Sequence, residues 1–437
     1  MLKTLQNAFK VKDVRHRIFY VLMMLVVIRI GSQLPVPGVD GSYFKTWFES
    51  QTGDAFNFLD AFTGGSFSQM SIFALSITPY ITSSIIIQLL TIAIPKLEEM
   101  QRDGEDGRKK LGAITRYVTI GLSLFESIAM AIGFGRQGMI PNMSFLKGIV
   151  VVASLTAGSA MLMWLGERIT EKGIGNGISI VLMINILSRV PSDITTLYET
   201  FIKPQTVAKG ALAAVIILAV IVVTVVLVIL LNGATRNIPV QYAKKMQGRK
   251  MVGGQSSSIP LKVNTAGVIP VIFASSLMSF PVVIAGFFQV NYDTIGGKIL
   301  LALNSSSWFN PERPAYSVGL IVYIALIIVF AYFYTSITFN PLEVANNMKK
   351  SGGFIPGIRP GKPTSDYLDG ILEYIILIGA CGLIIVCLVP IIVSGLFSVS
   401  RLSFGGTSLI IIVGVVLETI KAVESQMLVR NYKGFLN

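Results

Sequence analysis

Long apolar segments separated by polar connections dominate this chain. Crossing a bilayer takes roughly 20 mainly apolar residues in an α-helix, and few soluble domains contain many such runs. The fifth run is shorter than the others and opens in a glycine-rich turn. The candidate spans are 18–34, 72–94, 114–134, 148–165, 178–190, 211–231, 268–290, 318–339, 371–393 and 408–428. The pattern predicts an all-α polytopic membrane protein with ten transmembrane helices.

The distribution of basic residues predicts the orientation of these spans. The chain carries a formal charge of +13, which alone is compatible with nucleic acid, anionic lipid or an acidic protein as a partner. With the N-terminus inside, the inner connections hold about three times as many Lys and Arg residues as the outer ones. We therefore expect both termini in the cytoplasm, with residues 1–17 as a basic, retained lead-in and 429–437 as a tail.

Two inner connections, 232–265 and 340–370, are longer than a helical hairpin requires. They are rich in Gly and Pro and carry paired cations, and long loops of this kind are usually functional. One interpretation is retention of topology together with attraction to anionic lipid. The other is a docking platform for a large anionic or mixed-charge cytosolic partner. The cations are Arg236, Lys244, Lys245, Arg249, Lys250, Lys349, Lys350, Arg359 and Lys362.

The outer connection 35–71 contains a short apolar stretch with paired glycines. About 12 apolar residues cannot span a bilayer, so this stretch predicts a re-entrant or interfacial segment. A lid that rests on the outer face fits the same composition.

Ionisable residues are scarce within the spans, which bears on the class of membrane protein. Arg29 lies near the outer end of the first span, where it can snorkel, and Glu126 is the only acid near a span centre. A secondary transporter needs a midplane site with coupling-ion ligands, so this class is disfavoured. A membrane-embedded enzyme ranks lower still, because no nucleophile with a base and no paired carboxylates are present. His16 is the only histidine, and we expect neither a metal site nor a cofactor.

Six motifs then carry a resemblance. They are SIFALSITPYI (71–81) with TSSI (82–85) and Gln88, GIGNGIS (173–179), PVQYAKK (239–245), NTAGVIP (264–270), PGIRPG (356–361) and GGTSL (405–409). In this order, over essentially the whole chain, they resemble the SecY family of protein-conducting channels.

The resemblance implies two inverted, pseudo-symmetric halves, 18–200 and 201–428, around an hourglass pore. It implies a plug at 56–69 and a lateral gate, chiefly between the second and seventh spans. The activity would be passive passage of unfolded secretory proteins across, and lateral insertion of membrane proteins into, the bacterial plasma membrane.

Residue roles follow from the same resemblance. The pore ring would be Ile81, Ile85, Ile178, Leu182, Ile272 and Ile411. The plug would include Phe58, Phe62, Gly64, Gly65 and Phe67. The lateral gate would include Thr78, Gln88 and Asn264, which otherwise suit ordinary interhelical hydrogen bonds. The physics supports part of the ring, because Ile81 with Ile85, and Ile178 with Leu182, are i, i+4 pairs on one helix face.

The resemblance also implies the partners. These are the small membrane subunits SecE and SecG, the motor ATPase SecA, the ribosome, signal sequences and nascent chains, besides anionic lipids. SecA or a translating ribosome would drive transport and would dock on the two long basic loops, with Arg359 as the principal cation.

Overall fold

The chain is mainly helical, and its helices follow the apolar runs. The computed structural model describes residues 9–50, 60, 62–141, 144–199, 203, 207–242, 245–247, 250–252, 256–286, 294–304, 308, 314–397 and 406–433. The helices of the first part are α1 (Lys12–Gly31), α2 (Gly41–Ser50), α3 (Thr78–Ala93), α4 (Pro95–Arg102), α5 (Gly104–Arg136), α6 (Phe145–Lys172) and α7 (Gly177–Leu197). Those of the second are α8 (Val207–Gly233), α9 (Ile269–Gly286), α10 (Ile295–Leu303), α11 (Val318–Thr338), α12 (Pro341–Lys350), α13 (Lys362–Phe397) and α14 (Gly406–Lys433), with a 3-10 turn at Pro314–Ser317.

Each of the ten predicted spans falls on one of these helices. They correspond in order to α1, α3, α5, α6, α7, α8, α9, α11, α13 and α14. Within the described residues, six helices are long and apolar enough to cross a membrane unaided. A seventh crossing arises if α3 and α4, which meet at a bend of 108°, count as one span. The prediction of a polytopic helical membrane protein is confirmed.

The second predicted span begins too early. Residues 71–77 are apolar and almost wholly buried, but they form turns, and the helix starts only at Thr78. Ser76 has φ of +52°, which a continuing α-helix does not allow. Pro79 lies in the first turn of α3, where its missing N–H costs no hydrogen bond. This buried turn connects the re-entrant segment to α3.

Helix neighbours divide the chain into two groups. In the first, α5 packs on α3 and α6, and α6 packs on α7; in the second, α11 packs on α9 and α13, and α14 packs on α8 and α13. The groups meet where α14 packs against α7 and α1. Between α3 and α9, contact is sparse in the part of the chain that the structure describes. One seam between the two groups is therefore well packed, and the other is not.

A small antiparallel sheet joins the two long basic connections, for which the sequence predicts loops. Its strands are β1 (Thr235–Tyr242), β4 (Ser256–Lys262) and β5 (Gly353–Phe354), in the order β4-β1-β5, beside a separate hairpin of β2 (Lys245–Gln247) and β3 (Lys250–Val252). Ile238 pairs with Ile259, and Gln241 pairs with Phe354. Ile238 and Val240 are buried in a cluster that includes Leu372 of α13. The sheet is an addition to the predicted all-α class.

Candidate pore, plug and docking surface

The six predicted pore-ring residues lie in one apolar cluster. Ile81 and Ile85 come from α3, Ile178 and Leu182 from α7, Ile272 from α9 and Ile411 from α14. Leu182, Ile272 and Ile411 are buried, whereas Ile81, Ile85 and Ile178 are half-buried. Four helices from both groups thus bring branched aliphatic side chains together.

The local structure of α7 positions its pair. Asn176 caps the helix, because its side-chain oxygen accepts from the backbone N–H groups of Ile178, at 3.1 Å, and Ser179, at 3.4 Å. Gly177 sits against the Gly166 carbonyl, where a Cβ atom has no room. The glycine-rich motif is therefore a helix start packed tightly on α6, and Ile178 and Leu182 face the cluster as a result.

The re-entrant segment reaches this cluster. Phe62, 7% exposed, belongs to the same apolar cluster as Ile81 and Ile272. Phe67 is fully buried on the other side, with its ring 5.8 Å from that of Phe44 in an edge-to-face arrangement. Phe58, also predicted for the plug, lies outside the described residues.

Gly64 and Gly65 form the turn of this segment, with φ of +69° and +85°. That left-handed conformation favours glycine. Gly64 also lies so close to α7 that a Cβ atom there would stand 2.8 Å from the backbone Cα and O atoms of Asn185. At Gly65, the nearest atom to such a Cβ would be Arg189 Cδ, at 3.8 Å. Gly64 is therefore required both by the turn and by the close packing on α7, whereas Gly65 is required mainly by the turn.

A polar network that the sequence analysis missed anchors the segment. Asn185 Nδ2 donates to the Phe62 carbonyl at 3.3 Å and to Ser76 Oγ at 3.1 Å. Arg29 Nη2 donates to the Gly64 carbonyl at 3.2 Å, so this side chain binds the re-entrant segment rather than only snorkelling. The one available indication was a single amide, Asn185, in an otherwise aliphatic run of α7.

Two further charges complete the network. The Asp60 carboxylate is fully buried, and its Oδ2 lies 2.5 Å from Arg189 Nη1 of α7. Its Oδ1 accepts from the Ser68 backbone N–H at 2.7 Å, which links the two ends of the segment. Neither residue was singled out from the sequence, because nothing in the spacing places position 60 beside position 189.

In the described part of the chain, no hydrogen bond joins the three predicted lateral-gate residues to one another. Thr78 opens α3 and Gln88 lies further along it, both half-buried. Asn264 is buried, and its Nδ2 donates to Asn232 Oδ1 of α8 at 2.8 Å. In this structure Asn264 therefore ties the approach to α9 to its own half of the chain.

The predicted docking cations fall into three groups. Arg236 on β1, Lys349 and Lys350 at the end of α12, and Arg359 are exposed. Lys245 and Lys250 lie in the paired backbone of β2 and β3. Lys244 and Arg249 lie outside the described residues.

The sheet links the two basic connections, since β5, which begins shortly after Lys350, pairs with β1, which carries Arg236. Lys245 and Lys250 lie on the separate hairpin. Arg359 is presented by a turn whose backbone is also pinned, because its carbonyl accepts from Thr364 Oγ1 at 2.8 Å. Nowhere in the described part of the chain do three His, Cys, Asp or Glu side chains group in a way that could hold a metal ion.

Comparisons with known proteins agree with this architecture. The SecY family model matches residues 71–420. The protein translocase subunit SecY of Halalkalibacterium halodurans is 43% identical over 442 residues, covering all of both chains. The subunit of the same name from Bacillus subtilis is 43% identical over 450 residues, again over the full length of both.

Solved structures show the same fold. One, described as the structure of a protein conducting channel, has a TM-score of 0.66 at 18% identity and covers 94% of this chain and 92% of its own. Sec61 in the canine ribosome-channel complex from the endoplasmic reticulum has a TM-score of 0.64 at 16% identity, with the same coverage of both chains. The predicted channel architecture is confirmed, and the chain belongs to the SecY family.

Proposed function

We propose that this chain forms the pore of a bacterial Sec translocation channel. Unfolded secretory proteins pass through it across the plasma membrane, and transmembrane segments of membrane proteins leave it sideways into lipid. The observation that carries the proposal is the single apolar cluster in which all six ring residues and Phe62 meet. The two halves are 18–200 and 201–428, and both termini lie in the cytoplasm.

The ring acts as a hydrophobic gate. A narrow neck of branched aliphatic side chains dewets and so resists ions, yet it deforms around a passing chain. Phe62 packs against the ring from the plug, which adds a second seal. The plug packs Phe62 and Phe67 into apolar clusters and turns at two glycines, so it can sit under the ring and leave when a substrate enters.

The lateral gate is the seam between α3 and α9. Sparse contact between these helices supports this assignment, as does the placement of Thr78 and Gln88 on α3. A hydrophobic segment passes between these two helices to reach lipid. Asn264 acts from one side of the seam by holding the start of α9 to Asn232.

The cytoplasmic sheet and the adjoining turns form the docking surface for SecA and the translating ribosome. Exposed cations suit both partners, because ribosomal RNA presents phosphates and a motor surface presents carboxylates. The canine relative is a channel in a ribosome complex, which supports the ribosome as a partner here. SecE and SecG are the expected small membrane subunits, and the basic inner face also attracts anionic lipids. The channel itself is passive, and these partners supply the driving force.

Photo-crosslinking to a stalled secretory precursor tests the pore. A photoreactive residue at Ile81, Ile178 or Ile272 is expected to crosslink to the translocating segment. The matched control is Ile321 of α11, whose side chain is 65% exposed on the outside of the helix bundle. Equal crosslinking from Ile321 and from the ring would contradict the proposal, as would solute uptake by the chain alone, which indicates a transporter.

A further inference from the structure

Charged residues at one end of the bundle converge on the plug. Asp60 is the only acidic residue of the re-entrant segment 56–69, and its side chain is fully buried. A buried carboxylate is costly unless it is paired and hydrogen-bonded. Both of its oxygens are engaged, one by Arg189 and one by the Ser68 N–H.

Arg189 belongs to α7 rather than to the plug, so the ion pair joins a movable segment to a fixed one. The Arg189 side chain is 21% exposed and hence largely withdrawn from water. Its aliphatic part also borders Gly65. The pair exists only while the plug occupies this position.

A second cation holds the same segment from a different helix. Arg29 of α1 donates to the Gly64 carbonyl at 3.2 Å, and the hydroxyl of Ser188 lies 3.1 Å from the same oxygen. Arg29 is also within 3.5 Å of Asn185 Oδ1. The plug is thus held by side chains of α1 and α7 together.

Displacement of the plug breaks all of these contacts at once. Rehydration of Asp60, Arg189 and Arg29 then offsets part of this loss. The contacts are made only in the closed arrangement, and if one partner is missing, closure buries an unpaired charge. Apolar packing of Phe62 alone would not discriminate among plug positions of similar burial, because it is non-directional. The Asp60–Arg189 pair discriminates among them, because it needs these two side chains to stay adjacent.

We propose that Asp60 and Arg189, supported by Arg29, form an ionic latch that holds the plug closed and sets how strong a signal sequence must be to open the channel. This inference rests on the proposed function. The three are positioning residues, since they act on the seal and not on the translocating chain.

The latch predicts a specific order of resting conductance among variants of Asp60 and Arg189. Arg189→Gln leaves a buried carboxylate with no opposite charge, which is the costliest change, and it raises the resting conductance by about tenfold or more. Asp60→Asn removes the pair but also the burial penalty, so its effect is smaller. The double variant Asp60→Asn with Arg189→Gln is therefore expected to leak less than Arg189→Gln alone, because it leaves no unpaired buried charge. It should still leak more than the parent protein, because the latch is gone.

Resting conductance is measured in planar bilayers with the channel and its partner subunits, together with export of a precursor whose signal sequence is weakened. Arg189→Lys, which keeps the charge, should behave nearly like the parent protein. Lys298→Gln, which removes an exposed cation of α10, is the matched control and should change nothing. A merely structural role would lower the thermal unfolding midpoint and reduce export of every precursor; the latch instead raises export of the weakened one.

Deletion of residues 56–69 distinguishes a failure of the latch from a failure of the proposed channel function. If this deletion leaks and Arg189→Gln does not, the latch is refuted while the plugged channel stands. Failure of Asp60→Asn to relieve Arg189→Gln likewise refutes the latch. If the deletion does not raise the resting conductance either, the proposed channel function is wrong.

Discussion

Gly64→Ala is expected to weaken the closed state of the channel more than Gly65→Ala. Both residues have positive φ, and an L-residue in the left-handed region costs about 1–2 kcal/mol. Only at position 64 does the new methyl group also collide with backbone, 2.8 Å from Asn185 Cα and O. Backbone of a packed helix cannot rotate away as a side-chain end can.

The magnitude follows from these two costs. Gly65→Ala shifts the closed-to-open equilibrium by at most about 1–2 kcal/mol, roughly 5- to 30-fold. This is an upper limit, because a displaced plug that keeps its turn retains the strain. Gly64→Ala adds about 1–3 kcal/mol of overpacking, which disappears once the plug leaves α7. The difference between the two variants therefore isolates the close approach to Asn185.

The assay is resting conductance in planar bilayers at matched channel density. Gly64→Ala should show a clearly higher open probability than Gly65→Ala. The open probability of both variants should be at least that of the parent protein. Equal conductance of the two variants would refute the argument, because it would mean that contact between the plug turn and α7 does not govern closure. Binding of the partner subunits in detergent serves as the control for folding.

Three other outcomes are expected. Arg359→Glu should reduce SecA-driven translocation by about tenfold or more, since charge reversal opposes an acidic partner surface, while assembly of the complex stays normal. Ile272→Asn should raise resting conductance, because a polar group wets the apolar neck. In α13, Gly379→Ala should lower the thermal unfolding midpoint, since its Cβ would run into the Val263 carbonyl. Gly370→Ala, with open space around it, should be neutral or stabilising by up to about 1 kcal/mol.

Each of these three predictions can be contradicted by one measurement. Normal precursor uptake into vesicles by the Arg359 variant would remove this cation from the docking surface. Unchanged conductance of the Ile272 variant would count against its place in the ring. Similar unfolding midpoints for the two α13 variants would show that the helix approaches Val263 less closely than the structure indicates.

The helices were predictable because a bilayer demands long apolar runs, and such runs are visible in any sequence. The start of α3 was not, since residues 71–77 are as apolar as the helix that follows. Burial in a turn and burial in a helix select the same residue types. The turn-type hydrogen bond from the Ser76 N–H to the Phe73 carbonyl and the positive φ at Ser76 distinguish them here, and neither is visible in the sequence.

The ring could be predicted from the sequence, whereas the polar network that anchors the plug could not. The i, i+4 pairs of α3 and α7 indicate a shared face, and the resemblance supplied their role. The anchoring of the plug depends on contacts between residues far apart in the sequence, such as Arg29 with Gly64 and Asp60 with Arg189. A lone charge in a sequence does not reveal its partner, so Arg29 was interpreted as a snorkelling residue.

The small β-sheet has a mechanical consequence. β5 belongs to one basic connection and β1 and β4 to the other, so a partner cannot push on one without moving both. β4 ends at Lys262 and α9 begins at Ile269, and the short link between them is bonded to α8 through Val263 and Asn264 near the end of that helix. A displacement of the sheet therefore reaches the start of α9 through the hydrogen bonds of Val263 and Asn264.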